Sequence, residues 1–219
     1  MYKEDQARIE RWCKNPDKFL TVGTMVLLSI RIQWVGVGTQ MESVRKLGVD
    51  SPCLWGFKRD GYVYLRDNRK KLYAAVRRYR AGKTYLDDLI REFLKVPGLG
   101  LPKAGFLAQL LVGDAGCLDM HNIERFDLKP KVWFIRPRKD AAAQVREIDD
   151  KIALYLKLCQ LCGGSEQLWD EWCEYLNDRV GTFHNADDVS RRHYIYLLDL
   201  PGDDEPVSQG PDTYGSFDD

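Results

Sequence analysis

The residues best suited to chemistry fall in one stretch of the chain, VPGLGLPKAGFLAQLLVGDAGCLDMHNIERF, at positions 96–126. Pro97-Gly98-Leu99-Gly100 is a tight turn between two expected helices, and it offers the N–H groups of Gly98, Leu99 and Gly100 at a helix N-terminus. Glycine lets a backbone approach closely and the helix dipole favours an anion there, so the turn can hold a phosphate without any particular side chain. The alternative is a turn and nothing more. Asp119 starts a short helix. A carboxylate there can stabilise a developing cation or position a water, and it can also simply cap the helix; the two roles coexist. His121 follows in the first turn, as a packed side chain supporting Asp119, and Lys103 reads as a phosphate contact or a solvated helix charge. Cys159, Cys162 and Cys173 are three sulfurs where a structural zinc or an iron–sulfur cluster needs four ligands. Cys159 and Cys162 share a helix face with Leu154, Leu156 and Leu158, so they are expected in the core and no metal is expected. His184 and His193 read as surface residues.

The same stretch resembles the helix-hairpin-helix and Gly/Pro-Asp motif of the DNA glycosylase superfamily, represented by the endonuclease-III-type enzymes. Val96-Pro97-Gly98-Leu99-Gly100 is similar to the family's Leu-Pro-Gly-Val-Gly hairpin, Ala104 to its small residue, and Leu118-Asp119-Met120-His121 to its Val-Asp-Thr-His segment. The resemblance implies an all-α, two-lobed fold and double-stranded DNA as partner. It also implies that Gly98 and Gly100 hold a phosphate, that hairpin carbonyls can bind a monovalent cation, and that Asp119 is the catalytic carboxylate. Cleaving an N-glycosidic bond builds positive charge on the sugar, and the target base must first leave the stack.

Two departures narrow the reading. Bifunctional members carry a lysine two positions after the second hairpin glycine, where this chain has Pro102. Lys103 is one residue on, turned by about 100° around a helix, and is expected to face elsewhere, which argues against lyase chemistry. The family's Leu-Ser-x-Gln helix end is echoed by Leu28-Ser29-Ile30-Arg31 with Gln33 displaced, which makes Arg31 and Gln33 candidate DNA contacts. Three functions stay open: a monofunctional N-glycosylase for a damaged or modified base, a divergent phage-type enzyme that exchanges groups on the 5-methyl of thymine, and a non-catalytic DNA-binding module.

The elements that position these residues are expected to be helices. The chain has 219 residues, 44% of them hydrophobic, enough for a sizeable core, which excludes wholesale disorder. Its longest apolar run, residues 21–30, is half of what a bilayer needs, and residues 1–10 carry no apolar signal, so an intracellular, cytoplasmic monomer with reduced cysteines is expected. The net charge is zero, but residues 201–219 hold six acids and no base and read as a disordered tail, leaving the body basic. Residues 58–80 hold nine cations, among them Arg77 and Arg78, against Asp60 and Asp67; such a block favours a polyanion, or else is a solvated face. Tyr62, Tyr64, Tyr73 and Tyr79 interleave with it as candidate DNA-facing aromatics, with Trp133 as a further base-stacking candidate, whereas Trp169 and Trp172 have core spacing.

Residues 1–200 form one helical domain of two lobes in this reading, with the hairpin motif at about 84–112. A short helix over 7–14, with Ile9, Trp12 and Cys13 on one side, precedes a central apolar helix capped by Asp17 and running to Ile32 or beyond. A helix over 39–47 follows, then an aromatic hairpin over 54–65 closed at Asp60-Gly61, then a basic helix over 68–80. Thr84 and Asp87 form a capping box for a helix through Lys95, Pro102 starts a helix to about Val112, and Asp119 opens one to Phe126. Beyond the charged loop 129–139, helices are expected over 140–162, over 165–177 capped by Ser165, and over 186–198.

Overall fold

The structure, a computed structural model, describes residues 13–32 and 36–184 and positions 3, 6, 7, 9 and 10, with side chains described as far as Tyr175. Among the described residues every regular element is helical, so the fold is all-α. Trp12, Gln33, His193, the helix expected over 186–198 and the acidic tail lie outside the described residues. Among the described residues no helix is long and apolar enough to cross a membrane.

Helix α1, Pro16–Leu28, is buried along its length from Val22 to Leu28 and runs through the centre of the fold. Its cap is Asn15 rather than Asp17: the Asn15 side chain accepts the N–H groups of Asp17 and Lys18, and Pro16 takes the first position. Asp17 is free to bond Arg69 at 2.8 Å. The helix stops at Leu28, short of the expected Ile32, where Ser29 Oγ donates to the Val26 carbonyl and Lys58 Nζ donates to the Leu28 carbonyl at 2.8 Å. Arg31 turns the chain away with φ +60°. Helix α2 is Val37–Leu47.

The expected hairpin over 54–65 does not exist. That segment begins α3, a 24-residue helix, Phe57–Arg80, that packs along α1. Gly61 looked like a turn glycine, but its role is tertiary. A Cβ there would lie 2.5 Å from the Pro97 carbonyl and 2.9 Å from Leu27, so its absence lets the 97–100 turn sit directly on α3.

Helix α4, Leu86–Phe93, lies between α3 and helix α5, Leu101–Val112. The carboxylate that reaches back at the start of α4 is Asp88, not Asp87: it accepts the Thr84 hydroxyl at 3.0 Å and the Tyr85 N–H at 3.4 Å. Helix α5 starts and stops as expected, with Pro102 in its first turn and Gly113 left-handed at its C-cap. It is buried on nearly every side, from Leu101 and then Ala104 through Leu111. Helix α6, Met120–Arg125, is short and capped by Asp119. Helix α7, Ala141–Leu161, packs on α4, and helix α8 continues past the expected 177 as Gly164–His184, packing on α6 and α7. Trp169, Trp172, Cys159, Cys162 and Cys173 are core residues.

Candidate nucleic-acid interface

The hairpin is anchored from below and open above. Val96 and Leu99 are buried, Gly98 and Gly100 are exposed, and Gly98 holds φ +86°. The Leu99 N–H is spent inside the turn on the Val96 carbonyl at 3.1 Å, so it is not the anion donor expected of it. The N–H groups of Gly98 and Gly100 have no partner among the described residues, and they stand at the N-terminus of the twelve-residue α5. That geometry suits one phosphate oxygen cluster. The Val96 carbonyl accepts the Leu99 N–H and keeps a second lone pair, whereas the Gly100 carbonyl already accepts the N–H groups of both Lys103 and Ala104.

Aromatic rings that sequence reading missed back the hairpin. A Cβ on Gly98 would meet Phe57 at 2.4 Å, so Gly98 is fixed by the ring below it as well as by its φ. Phe57 meets Trp55 edge-on at 5.5 Å, and the Arg31 guanidinium lies 5.9 Å from the Phe57 ring centre. Arg31 is therefore beside the hairpin, exposed, and next to a half-exposed Trp55.

The chain leading to Asp119 returns along α5. After Gly113 the chain reverses along the helix, and Gly116 comes so close to Gly105 that a Cβ on Gly105 would sit 2.4 Å from the Gly116 carbonyl. From Val112 to Gly105 is about 10 Å of helix, so the reversal carries the segment most of the way to the hairpin. Tyr155 of α7 clamps it there: its hydroxyl donates to the Gly116 carbonyl at 2.7 Å and accepts the Leu118 N–H at 3.0 Å. Asn122, fully buried, donates to the Cys117 carbonyl at 2.6 Å, and the Asp119 N–H bonds the Cys117 thiol. One Asp119 oxygen accepts the Asn122 N–H at 3.1 Å, and the other has no hydrogen-bond partner among the described residues. His121 stacks on Tyr175 at 4.0 Å, with its Nε2 buried and without a hydrogen-bond partner among the described residues.

The Lys103 charge bears on the Cys117 thiol, which burial pushes up to about 12 and Lys103 partly offsets, and on Lys58. The Lys103 ammonium lies 5.4 Å from the Phe106 ring centre.

The basic block is mostly structural. Lys58 is fully buried, and burial first, with Lys103 adding to it against Cys53, lowers its ammonium below the ordinary lysine value. Arg59, Arg66, Arg69 and Lys71 pair with Asp50, Asp67, Asp17 and Glu92, and Arg80 binds the Leu111 carbonyl. Lys70, Arg77 and Arg78 remain exposed without an ion pair among the described residues. Arg77 and Arg78 lie about 30 Å along α3 from Phe57, so they are remote from the hairpin. The tyrosines of the block are not exposed platforms either. All four are half-buried against the core, Tyr79 bonds Asp114 at 2.6 Å, and Tyr73 packs on Phe19. Trp133 is likewise buried, edge-on to Tyr155 at 5.9 Å.

Among the described residues no group of three or more His, Cys, Asp or Glu side chains could hold a metal ion. No family model, curated protein or solved structure matches this chain.

Proposed function

We propose that this chain is a DNA-binding enzyme acting on a flipped-out base, and that it cleaves the N-glycosidic bond of a damaged or modified base without cutting the backbone. The reading takes the fold as the two-lobed helix-hairpin-helix type. The observation that carries it is the return of Asp119, with one carboxylate oxygen uncommitted, toward the helix end that presents the Gly98 and Gly100 N–H groups. In this mechanism the hairpin holds a phosphate of the flipped nucleotide. The bond from C1′ to the base breaks, the base leaves with the electron pair, and Asp119 stabilises the sugar cation until water adds its hydroxyl to C1′ and its proton to the base. Lys103 supplies a cation to the flanking phosphate. Pro102 leaves no amine at the position where the bifunctional relatives would carry one.

The test is base release from duplexes carrying defined damaged and modified bases, with Asp119→Asn alongside. Asn caps a helix about as well as Asp, so the variant keeps its melting temperature within a few degrees. Turnover falls by two to four orders of magnitude, because the charge facing the developing cation is gone. A folded Asp119→Asn protein with full activity refutes the assignment. Retention of an altered base supports the group-exchange chemistry instead, and binding without any change to the base supports a DNA-binding module.

A further inference from the structure

Residues 129–139 read KPKVWFIRPRK, with five cations and no acid. The segment starts as a short 3-10 turn, Pro130–Trp133, and leaves it in extended conformation at Phe134. Trp133, which closes the turn, points into the core with 4% exposure. Past it the extended backbone alternates its side chains between faces, so Phe134 points out with 69% exposure, Ile135 is half-buried and Arg136 is exposed. The segment is held to α7 on both sides. Arg138 pairs with Glu147 at 2.6 Å, the Arg136 N–H donates to Glu147 at 3.4 Å, and Lys151 donates to the Val132 carbonyl at 2.6 Å. A shallow groove of about 500 Å³ runs beside it, with Lys131, Arg136, Arg138 and Lys151 on its walls and Glu147 as its one acid, already neutralised by Arg138. Lys129, Lys131, Arg136 and Lys139 have no ion pair among the described residues.

We propose that this loop is a binding surface for single-stranded nucleic acid, with Phe134 stacking on a base and Lys131, Arg136 and Lys139 holding the neighbouring phosphates. The combination of an exposed ring with unpaired cations on both sides is what an unpaired strand requires: a flat platform for a base face and a positive track for its backbone. Phe134 and Arg136 are about 7 Å apart along the extended chain, so one base and the phosphate next to it can be engaged together. An anionic membrane surface would demand a broad apolar face, and here the apolar exposure is one ring with Val132 and Val145. The surface stands on the loop alone, whether or not Asp119 is catalytic.

The experiment uses the full chain and a fluorescein-labelled oligothymidylate of fifteen nucleotides, read by anisotropy across a salt series, with vesicles of phosphatidylcholine and phosphatidylserine as the second probe. Phe134→Ala should weaken the oligonucleotide about tenfold or more, and Phe134→Trp should retain binding. Lys131→Ala with Arg136→Ala should flatten the slope of log affinity against log salt by about 1.4. Asp119→Asn should leave oligonucleotide affinity unchanged, which separates a failure of this surface from a failure of the base chemistry. Equal affinity of wild type and Phe134→Ala overturns the proposal. So does Phe134-dependent binding to the vesicles with none to the oligonucleotide.

Discussion

Removing the Tyr155 hydroxyl isolates the clamp that holds the Asp119 segment. Tyr155→Phe keeps the ring, its edge-on packing with Trp133 and its place in the core, and removes one oxygen from a fully buried side chain. That oxygen serves two backbone groups, the Gly116 carbonyl at 2.7 Å and the Leu118 N–H at 3.0 Å. Stranding a buried donor or acceptor costs about 1–3 kcal/mol each. The carbonyl keeps a weak neighbour in the Cys159 thiol at 4.0 Å, which moves its share to the low end, so the expected loss is about 3 kcal/mol. For a chain of this size that is a fall in melting temperature of about 6–12 °C. Urea unfolding followed by tryptophan fluorescence measures it directly, with the denaturant slope unchanged if only the folded state is affected. The backbone from Ala115 to Leu118 should also lose amide-exchange protection ahead of α1 and α5. A loss below about 0.5 kcal/mol, or protection lost everywhere equally, would show that the two hydrogen bonds do not hold this segment.

Three further outcomes rest on buried and paired charges. Lys58→Ala should cost about 3 kcal/mol, through the cavity it leaves and the bare Leu28 carbonyl, yet leave the salt dependence of the proposed DNA binding unchanged because its ammonium never reaches the surface. Glu147, Glu171 and Asp88 are held below their ordinary values, chiefly by hydrogen bonds from Arg138, Arg125 and Thr84. A carboxyl lowered in the folded state contributes stability above its unfolded value and loses it as pH falls through the folded one. Urea midpoints should therefore be flat near neutrality and fall below the ordinary carboxylate range, and Glu147→Gln at neutral pH should speed tryptic cleavage after Arg138.

The parts of this molecule that were legible in the sequence are those set by local chemistry. Helix α5 announces both ends, with Pro102 in its first turn and Gly113 at its C-cap, and Asp119 caps α6 because its short side chain reaches the open Asn122 N–H of the first turn. What could not be read depends on partners far along the chain. Gly61 reads as a turn until Pro97 is seen lying against it. Lys58 reads as a surface cation until the Leu28 carbonyl, thirty residues away, is found accepting from it. The alternation that sets Phe134 outward, Ile135 inward and Arg136 outward is a local signal, and a period-two reading of residues 134–136 would have found it.

The enclosure of α5 has a consequence for how any ligand would be met at its N-terminus. A helix covered from Leu101 to Leu111 by its neighbours cannot tilt or slide without opening the core, so the Gly98 and Gly100 amides are presented in one fixed attitude. Recognition at this end is then lock-like on the protein side. On the proposed reading, the conformational work of fitting a duplex against the hairpin, its bending and the unstacking of a base, would fall on the nucleic acid, so that sites already mismatched, damaged or easily kinked would be favoured by their own deformability. Discrimination of that kind needs no side chain to read a base edge, and it would be sensed as a slower encounter with stiff, well-paired sequences.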